Sequence, residues 1–211
     1  REIRMPVRLD TREFFNPPFA YLAPSFFQII CRNTIESENL LQACRPIYGT
    51  ATQIFQSIMY IATIAINLFT LKLFNNSKKI FNTSYLIMVS LLAVNYRTIS
   101  MIRGESYILF FLSIFLYLIL KMEKSNYKFN FKRTIYFGLV IGCLALSRQW
   151  AFFLFLPIII MLFTSQINDK KEYLKIWIPS SVIGFLLSGW FYINLYLKAG
   201  SFTAFNTERT S

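Results

Sequence analysis

The stretch IYGTATQIFQSIMYIATIAINLFTL, residues 47–71, is the first long apolar run of the chain, and Lys72 follows it directly. A helix over this run would be roughly 37 Å long at about 1.5 Å per residue, enough to cross a hydrocarbon core of about 30 Å. The run therefore predicts a transmembrane helix. Similar apolar segments follow it, so the rest of the chain is interpreted as further membrane helices.

Five further apolar segments come after the first, at 84–96, 106–120, 135–147, 150–164 and 176–197. The chain of 211 residues is 55% hydrophobic and 15% charged, which excludes an ordinary soluble domain. Four of the segments would reach only about 20–22 Å as helices. Polar ends at that depth are tolerated where they face protein or a water-filled cavity, so we expect a cavity near Arg97–Glu105 and Arg148.

These segments predict an all-α membrane protein, a polytopic bundle of about six transmembrane helices with a short juxtamembrane helix. The juxtamembrane helix is expected within residues 17–30 (PPFAYLAPSFFQII), and a second short surface helix around Glu36–Cys44. One long helix over 135–164 is the alternative to two, but it would carry Arg148 at mid-membrane.

We divide the chain into three regions, with an expectation that it is an internal piece of a longer protein. Residues 1–45 form a non-cytoplasmic loop with the juxtamembrane helix, residues 46–198 the transmembrane bundle, and residues 199–211 a non-cytoplasmic tail.

Lysines and arginines fall on opposite sides of this topology. Ten lysines share one side: Lys72, Lys78, Lys79, Lys121, Lys124, Lys128, Lys132, Lys170, Lys171 and Lys175. Ten arginines share the other: Arg1, Arg4, Arg8, Arg12, Arg32, Arg45, Arg97, Arg103, Arg148 and Arg209. Arg133 and Lys198 are the exceptions. Lysine-rich short loops mark the cytoplasmic face of a membrane protein. We therefore expect the lysine side to be cytoplasmic, in a multi-pass protein of a bacterial or archaeal plasma membrane or of the endoplasmic reticulum.

The amino-acid composition also limits which kinds of catalytic and binding site the chain can contain. The chain has no histidine, which removes Ser-His-Asp triads and most zinc sites. Cations scattered over several loops argue against nucleic-acid binding despite the net charge of +12. No cofactor or metal ligand set is identified, and a divalent metal bound by other parts of the protein stays open. A Cys31–Cys44 disulfide requires an oxidising compartment, which the sequence does not decide.

Several short motifs follow one another in a recognisable order. Asn16-Pro17-Pro18-Phe19-Ala20-Tyr21-Leu22 is followed by Ala43-Cys44-Arg45-Pro46, then Arg103-Gly104-Glu105, then Leu144-Ala145-Leu146-Ser147-Arg148. This order resembles the GT-C glycosyltransferases, specifically the family 39-like branch of protein O-mannosyltransferases and aminoarabinose transferases, over about residues 14–165. Members carry His or Lys before the proline pair, where this chain has Asn16. Their first span and the acidic residue after it have no counterpart here.

The resemblance implies an integral-membrane glycosyltransferase that moves a sugar from a polyprenyl-phosphate donor to an acceptor at the non-cytoplasmic face. Its partners would be the polyprenyl-phosphate-linked sugar and the lipid bilayer, while the oligomeric state stays open. Asp10 and Glu13 are candidate catalytic acids, although the main acid is expected upstream of this piece. The motifs also make Asn16 and Tyr21 candidate substrate contacts.

The residues themselves suggest the same chemistry. Arginines at the ends of short spans could stabilise the charge that grows on a leaving phosphate, which selects Arg45, Arg97, Arg103 and Arg148. Glu105 is a carboxylate that could deprotonate an acceptor hydroxyl.

Structural explanations stand beside these roles. Arg103 and Glu105 could form an interfacial ion pair, Arg148 could snorkel to a headgroup, Arg45 could anchor its span, and Tyr21 could simply pack. Gly138 and Gly142 form a GxxxG motif, which predicts a close helix contact.

Two other classes of function compete with the enzyme. A transporter or flippase of an anionic lipid-linked substrate would also need arginines near a membrane cavity, but transporters show internal repeats that this chain lacks. A non-catalytic membrane subunit would keep the fold without the catalytic acid.

Overall fold

The computed structural model describes residues 16–35, 39–74, 78–90, 104–149 and 170–202, together with residues 160 and 163. These ranges form six helices and no strand, which confirms the all-helical class. The helices are α1 (Phe19–Thr34), α2 (Leu40–Phe74), α3 (Lys78–Ser90), α4 (Glu105–Lys124), α5 (Phe131–Ser147) and α6 (Lys170–Ala199).

Three of these helices are long and apolar enough to cross a membrane, over Gln42–Leu73, Glu105–Lys124 and Lys170–Lys198. The prediction of six spans is therefore not confirmed. Helix α5 has 17 residues and α3 has 13, both short for a bilayer crossing. The predicted span at 150–164 lies outside the described residues, apart from residues 160 and 163. The end of the predicted span at 84–96 also lies outside them.

The first span extends further than the apolar pattern suggests. Helix α2 runs from Leu40 to Phe74, 35 residues or about 52 Å, so its first turns reach beyond a hydrocarbon core. The separate surface helix predicted around Glu36–Cys44 was therefore wrong, because residues 40–44 belong to α2. Helix formation is cooperative, and good helix formers there extend the neighbouring helix at little cost.

Helix packing is closest between α5 and α6, where glycines remove the side chains that would hold the two helices apart. A Cβ on Gly138 would lie 2.7 Å from the Cβ of Ile183, and one on Gly142 would lie 2.7 Å from Cδ2 of Leu187. The close contact predicted from the GxxxG motif is thus confirmed. Phe137 stacks on Phe115 of α4 with ring centroids 5.3 Å apart, which joins a third helix to this core.

Large apolar side chains also point outward along these helices. Ile58 and Ile61 of α2 are 58% and 61% exposed, and Leu186 of α6 is 74% exposed. Such faces are unfavourable in water and favourable against lipid tails. Together with the three long apolar helices, they identify a membrane protein.

Helices α2 and α4 run in one direction and helices α5 and α6 in the other, so their termini collect at two ends of the bundle. At one end, Lys124 Nζ donates a hydrogen bond to the carbonyl of Leu73 at 3.1 Å, and the Phe129 N–H donates to Glu172 Oε2 at 3.0 Å. We call this the lysine end: it comprises the last turns of α2 and α4, the loop 125–130, and the first turns of α5 and α6.

The opposite end, called here the arginine end, comprises α1, the first turn of α4 and the last turns of α5 and α6. Tyr192 Oη donates to the carbonyl of Ala145 at 2.7 Å, which ties the last turns of α5 and α6 together.

Candidate functional site

Arg148 forms the centre of a polar cluster at the arginine end. Helix α5 ends at Ser147, and Arg148 follows in an extended conformation with φ −152° and ψ 143°. Its Nη2 forms an ion pair with Glu105 Oε1, and its Nη1 donates a hydrogen bond to Asn16 Oδ1 at 3.0 Å. The cluster thus joins Arg148 to two other predicted site residues, which lie 43 and 132 positions away along the chain. The helix break predicted at Arg148 is confirmed.

Gly104 lets the first turn of α4 approach the last turn of α5. A Cβ at this position would lie 2.4 Å from the carbonyl oxygen of Ser147, closer than real Cβ contacts allow. Glu105 directly follows Gly104 and is the acidic residue of the first turn of α4, where a carboxylate interacts favourably with the helix dipole. The glycine therefore permits the approach that brings Glu105 to Arg148.

Asn16 is positioned by the proline pair that follows it. Pro17 is fully buried and Asn16 is 7% exposed. Helix α1 begins just after Pro18, and the Phe19 ring lies 5.6 Å from the Phe111 ring of α4. The start of α1 is therefore anchored against the first turns of α4, and this contact directs the Asn16 amide toward Arg148.

The cluster is partly shielded from solvent. The side chains of Arg148 and Glu105 are 19% and 33% exposed. Among the described residues, the buried Glu105 Oε2 and Arg148 Nε have no hydrogen-bond partner. A buried polar atom without a partner costs about 1–3 kcal/mol. One carboxylate oxygen and one guanidinium N–H of the cluster thus keep unused hydrogen-bonding capacity.

Arg45 is separated from this cluster. The Cys31–Cys44 disulfide holds the start of α2 to the last turns of α1, whereas Asn16 lies before the first turn of α1. At about 1.5 Å per residue, α1 separates Arg45 from Asn16 by roughly 20 Å. Arg45 is exposed, so the structure does not bring it together with Arg148 as the sequence analysis expected.

The remaining predicted site residues divide into two groups. Tyr21 lies in the first turn of α1 and is half-buried. Four others, Asp10, Glu13, Arg97 and Arg103, lie outside the described residues.

An ion pair of Glu105 with Arg103 stays a prediction, because Arg103 lies outside the described residues, and the structure pairs Glu105 with Arg148. A signal for the observed pair exists in the sequence. Glu105 is the lone charged residue of 104–120, and Arg148 is the lone charged residue of 134–168. Lone charges in neighbouring apolar helices gain from pairing, because isolated charges at that depth are costly. The close approach at Gly104 had no signal of this kind.

Within the part of the chain that the structure describes, no group of three or more His, Cys, Asp or Glu side chains could hold a metal ion. The cluster has one carboxylate and one guanidinium, a set that suits phosphate or hydroxyl groups better than a metal.

Comparison with known proteins found no match: no family model, curated protein or solved structure is significantly similar to this chain.

Proposed function

We propose that this chain is part of an integral-membrane glycosyltransferase that moves a sugar from a polyprenyl-phosphate donor to an acceptor at the non-cytoplasmic face. The observation that carries the proposal is the cluster of Asn16, Glu105 and Arg148. Each comes from one of the separate motifs on which the family resemblance rests. A chance set of weak motifs has no reason to meet in one hydrogen-bonded group.

The two main residues have complementary roles in this reaction. Glu105 Oε2 accepts the proton of the acceptor hydroxyl, whose oxygen then bonds to the anomeric carbon of the sugar. The bond from that carbon to the phosphate oxygen breaks, and polyprenyl phosphate leaves with the bonding electrons. Arg148 Nε donates to the phosphate oxygen on which negative charge grows.

The ion pair couples these two events. Before the reaction, the Glu105 carboxylate is paired with the Arg148 guanidinium. Once Glu105 has taken a proton, the Arg148 charge is no longer compensated and becomes available to the departing phosphate. Asn16 keeps the guanidinium in place throughout, because its amide oxygen binds Nη1 independently of the carboxylate. The stabilisation is therefore largest when the negative charge is largest.

The disulfide supports an extracytoplasmic location for the cluster. Cys31 and Cys44 join two helices at the arginine end, and disulfides persist in oxidising compartments. A topology test follows for the exposed Asn126 in the lysine-end loop. In a Cys143→Ala background, a cysteine at position 126 should react with a membrane-impermeant maleimide only from the cytoplasmic side. Reaction from outside would invert the topology.

The experiment uses the lipid product that all such donors share. Purified full-length protein in detergent is titrated with undecaprenyl phosphate, and membranes are assayed for transfer from a panel of polyprenyl-phosphate-linked hexoses and pentoses. Arg148→Ala should weaken lipid binding, while Glu105→Gln should abolish transfer and leave lipid binding within a few-fold. The matched control is Lys198→Ala, which removes an exposed cation at the same end.

Three outcomes would overturn the proposal. Equal binding and transfer in all variants would reduce the cluster to a structural ion pair. Movement of the intact sugar-linked lipid across proteoliposomes without transfer would identify a transporter. Transfer activity that persists in Glu105→Gln would exclude Glu105 as the base.

A further inference from the structure

The loop before α5 carries an alternation of cations and aromatic rings. Lys128, Phe129, Asn130, Phe131 and Lys132 are consecutive, and all five are exposed. Phe129 is 45% and Phe131 is 69% exposed, a high value for phenylalanine. These residues form what we call the KFNFK segment, which lies at the lysine end beside the last turn of α4 and the first turn of α6.

The backbone of the KFNFK segment is held in place although its side chains are exposed. The Phe129 N–H donates to Glu172 Oε2 at 3.0 Å, which fastens the loop to α6. Asn130 caps α5 by accepting a hydrogen bond from the Arg133 N–H at 3.1 Å. Arg133 Nη1 in turn donates to Ser125 Oγ at 2.7 Å. The segment is therefore preorganised, and binding would cost little conformational entropy.

The charge around the segment is strongly positive. Lysines also lie in the helix turns at the same end of the bundle, namely Lys121, Lys124, Lys170, Lys171 and Lys175. The described acidic side chains near it are Glu123 and Glu172, and Glu172 is already bonded to Phe129 and Lys175.

Lys132 lies in the first turn of α5, and that turn has no acidic residue. A lysine at a helix N-terminus opposes the helix dipole and is unfavourable by itself. An anion bound at this point would interact favourably with both the lysine and the helix terminus.

We propose that the KFNFK segment is a binding site for the headgroup of an anionic phospholipid. Lys128 and Lys132 bind the phosphate region of the lipid, and the Phe129 and Phe131 rings insert among the glycerol and upper acyl groups. This assignment does not depend on glycosyl transfer, since the site lies at the end of the bundle opposite the Glu105–Arg148 cluster.

A lipid fits this surface better than a soluble protein does. The segment adjoins side chains that face lipid, because Tyr136 of α5 is 63% exposed and Ile178 of α6 is 59% exposed. Aromatic rings and lysines at the ends of spans are the groups that anchor proteins at the headgroup layer. Basic residues next to a span attract anionic lipids by about 1 kcal/mol each.

The test compares two lipids on the full-length chain. Purified protein in mild detergent is titrated with dioleoyl phosphatidylglycerol or dioleoyl phosphatidylcholine, and bound lipid is counted by native mass spectrometry. The wild-type protein should bind phosphatidylglycerol at least about fivefold more tightly. Lys128→Gln/Lys132→Gln should weaken phosphatidylglycerol binding on the order of tenfold and leave phosphatidylcholine binding unchanged. Phe131→Ser should weaken both lipids to a similar extent.

The matched control is Lys79→Gln/Lys198→Gln, which removes two exposed lysines outside the segment. It should change phosphatidylglycerol binding by less than twofold. An equal loss in the control, or equal affinity of the wild type for both lipids, would overturn the proposal. Helicity by circular dichroism must match the wild type in each variant. Replacing Phe131 by the photoreactive p-benzoylphenylalanine in native membranes should cross-link lipid, whereas a cross-linked protein would overturn the assignment.

Discussion

The two ends of the bundle use charged side chains in opposite ways. At the lysine end, the ion pair Lys175–Glu172 joins residues on adjacent turns of one helix, and the Lys175 side chain is 61% exposed. At the arginine end, the Arg148 side chain is 19% exposed and joins Glu105 of a different helix and Asn16 beyond it. The lysine end is a charged surface that local sequence can support. The arginine end contains a cluster of polar side chains that forms only when three segments distant in sequence come into contact.

Replacing Arg148 should have the largest effect on stability and activity, because Arg148 is the centre of the cluster at the arginine end. Arg148→Ala removes the cation that pairs with Glu105 and the guanidinium that donates to Asn16. We expect a loss of about 2 kcal/mol in the free energy of unfolding, lower than for a fully buried pair because both groups retain some exposure. We expect transfer activity to fall about 100-fold or more.

An Arg148→Lys variant serves as the companion to Arg148→Ala. Lysine keeps the charge but lacks the fork that reaches Asn16 and Glu105 together, so it should be intermediate in stability. Unfolding in mixed micelles with sodium dodecyl sulfate measures both variants. A wild-type midpoint for Arg148→Ala would show that the ion pair contributes nothing.

The contact between Gly104 and Ser147 gives the second largest effect. Gly104→Ala forces α4 away from α5, because the added Cβ would otherwise lie 2.4 Å from a backbone oxygen. A loss of about 1–3 kcal/mol is expected. Gly49→Ala in α2 is the matched control, since a Cβ there has nothing within 4 Å. It should stabilise the protein by up to about 1 kcal/mol, as alanine is the better helix former. Equal midpoints would contradict the close approach.

Asn16→Ala tests whether the segment before α1 contributes to the cluster. The variant removes one hydrogen bond to a charged donor, worth about 1–2 kcal/mol. Undecaprenyl phosphate binding should weaken by several-fold, because the guanidinium is less well held. Asn33→Ala, an exposed amide near the end of α1, is the control and should behave as wild type. If the two variants bind the lipid equally well, Asn16 has no part in the site.

Lys175→Ala should have the smallest effect. An exposed i,i+3 pair contributes about 0.2–0.5 kcal/mol, and salt screens it further. The unfolding midpoint of Lys175→Ala should therefore equal that of the wild type within experimental error. A loss of stability as large as that of Arg148→Ala would show that the ion pairs at the two ends contribute equally.

Much of the helical architecture was predictable from apolar periodicity. The runs at 47–71, 106–120, 135–147 and 176–197 each coincide with one helix, and the end of α5 before Arg148 followed from the cost of a charge in an apolar helix. Helix ends were predicted less well. The start of α2 at Leu40 lies among polar residues, where no hydrophobic pattern marks a boundary and helix propensity alone extends the span.

The candidate site was predicted as a set of residue types and not as an arrangement. Glu105, Arg148 and Asn16 were all selected from sequence, but the contacts among the three were not predicted. Arg45 was grouped with Arg148, although the disulfide and the length of α1 separate the two. Linear order says which end of a span a residue occupies. It does not say which residues at that end touch.

The sequence by itself determined the helical membrane class and the break at Arg148. These properties follow from local hydrophobicity and from the charge cost of crossing a bilayer, which each segment carries within itself. Only the tertiary structure decided that Asn16, Glu105 and Arg148 form one cluster. That outcome depends on the absence of a Cβ at Gly104 and on the packing of Phe19 against α4, which no segment encodes alone.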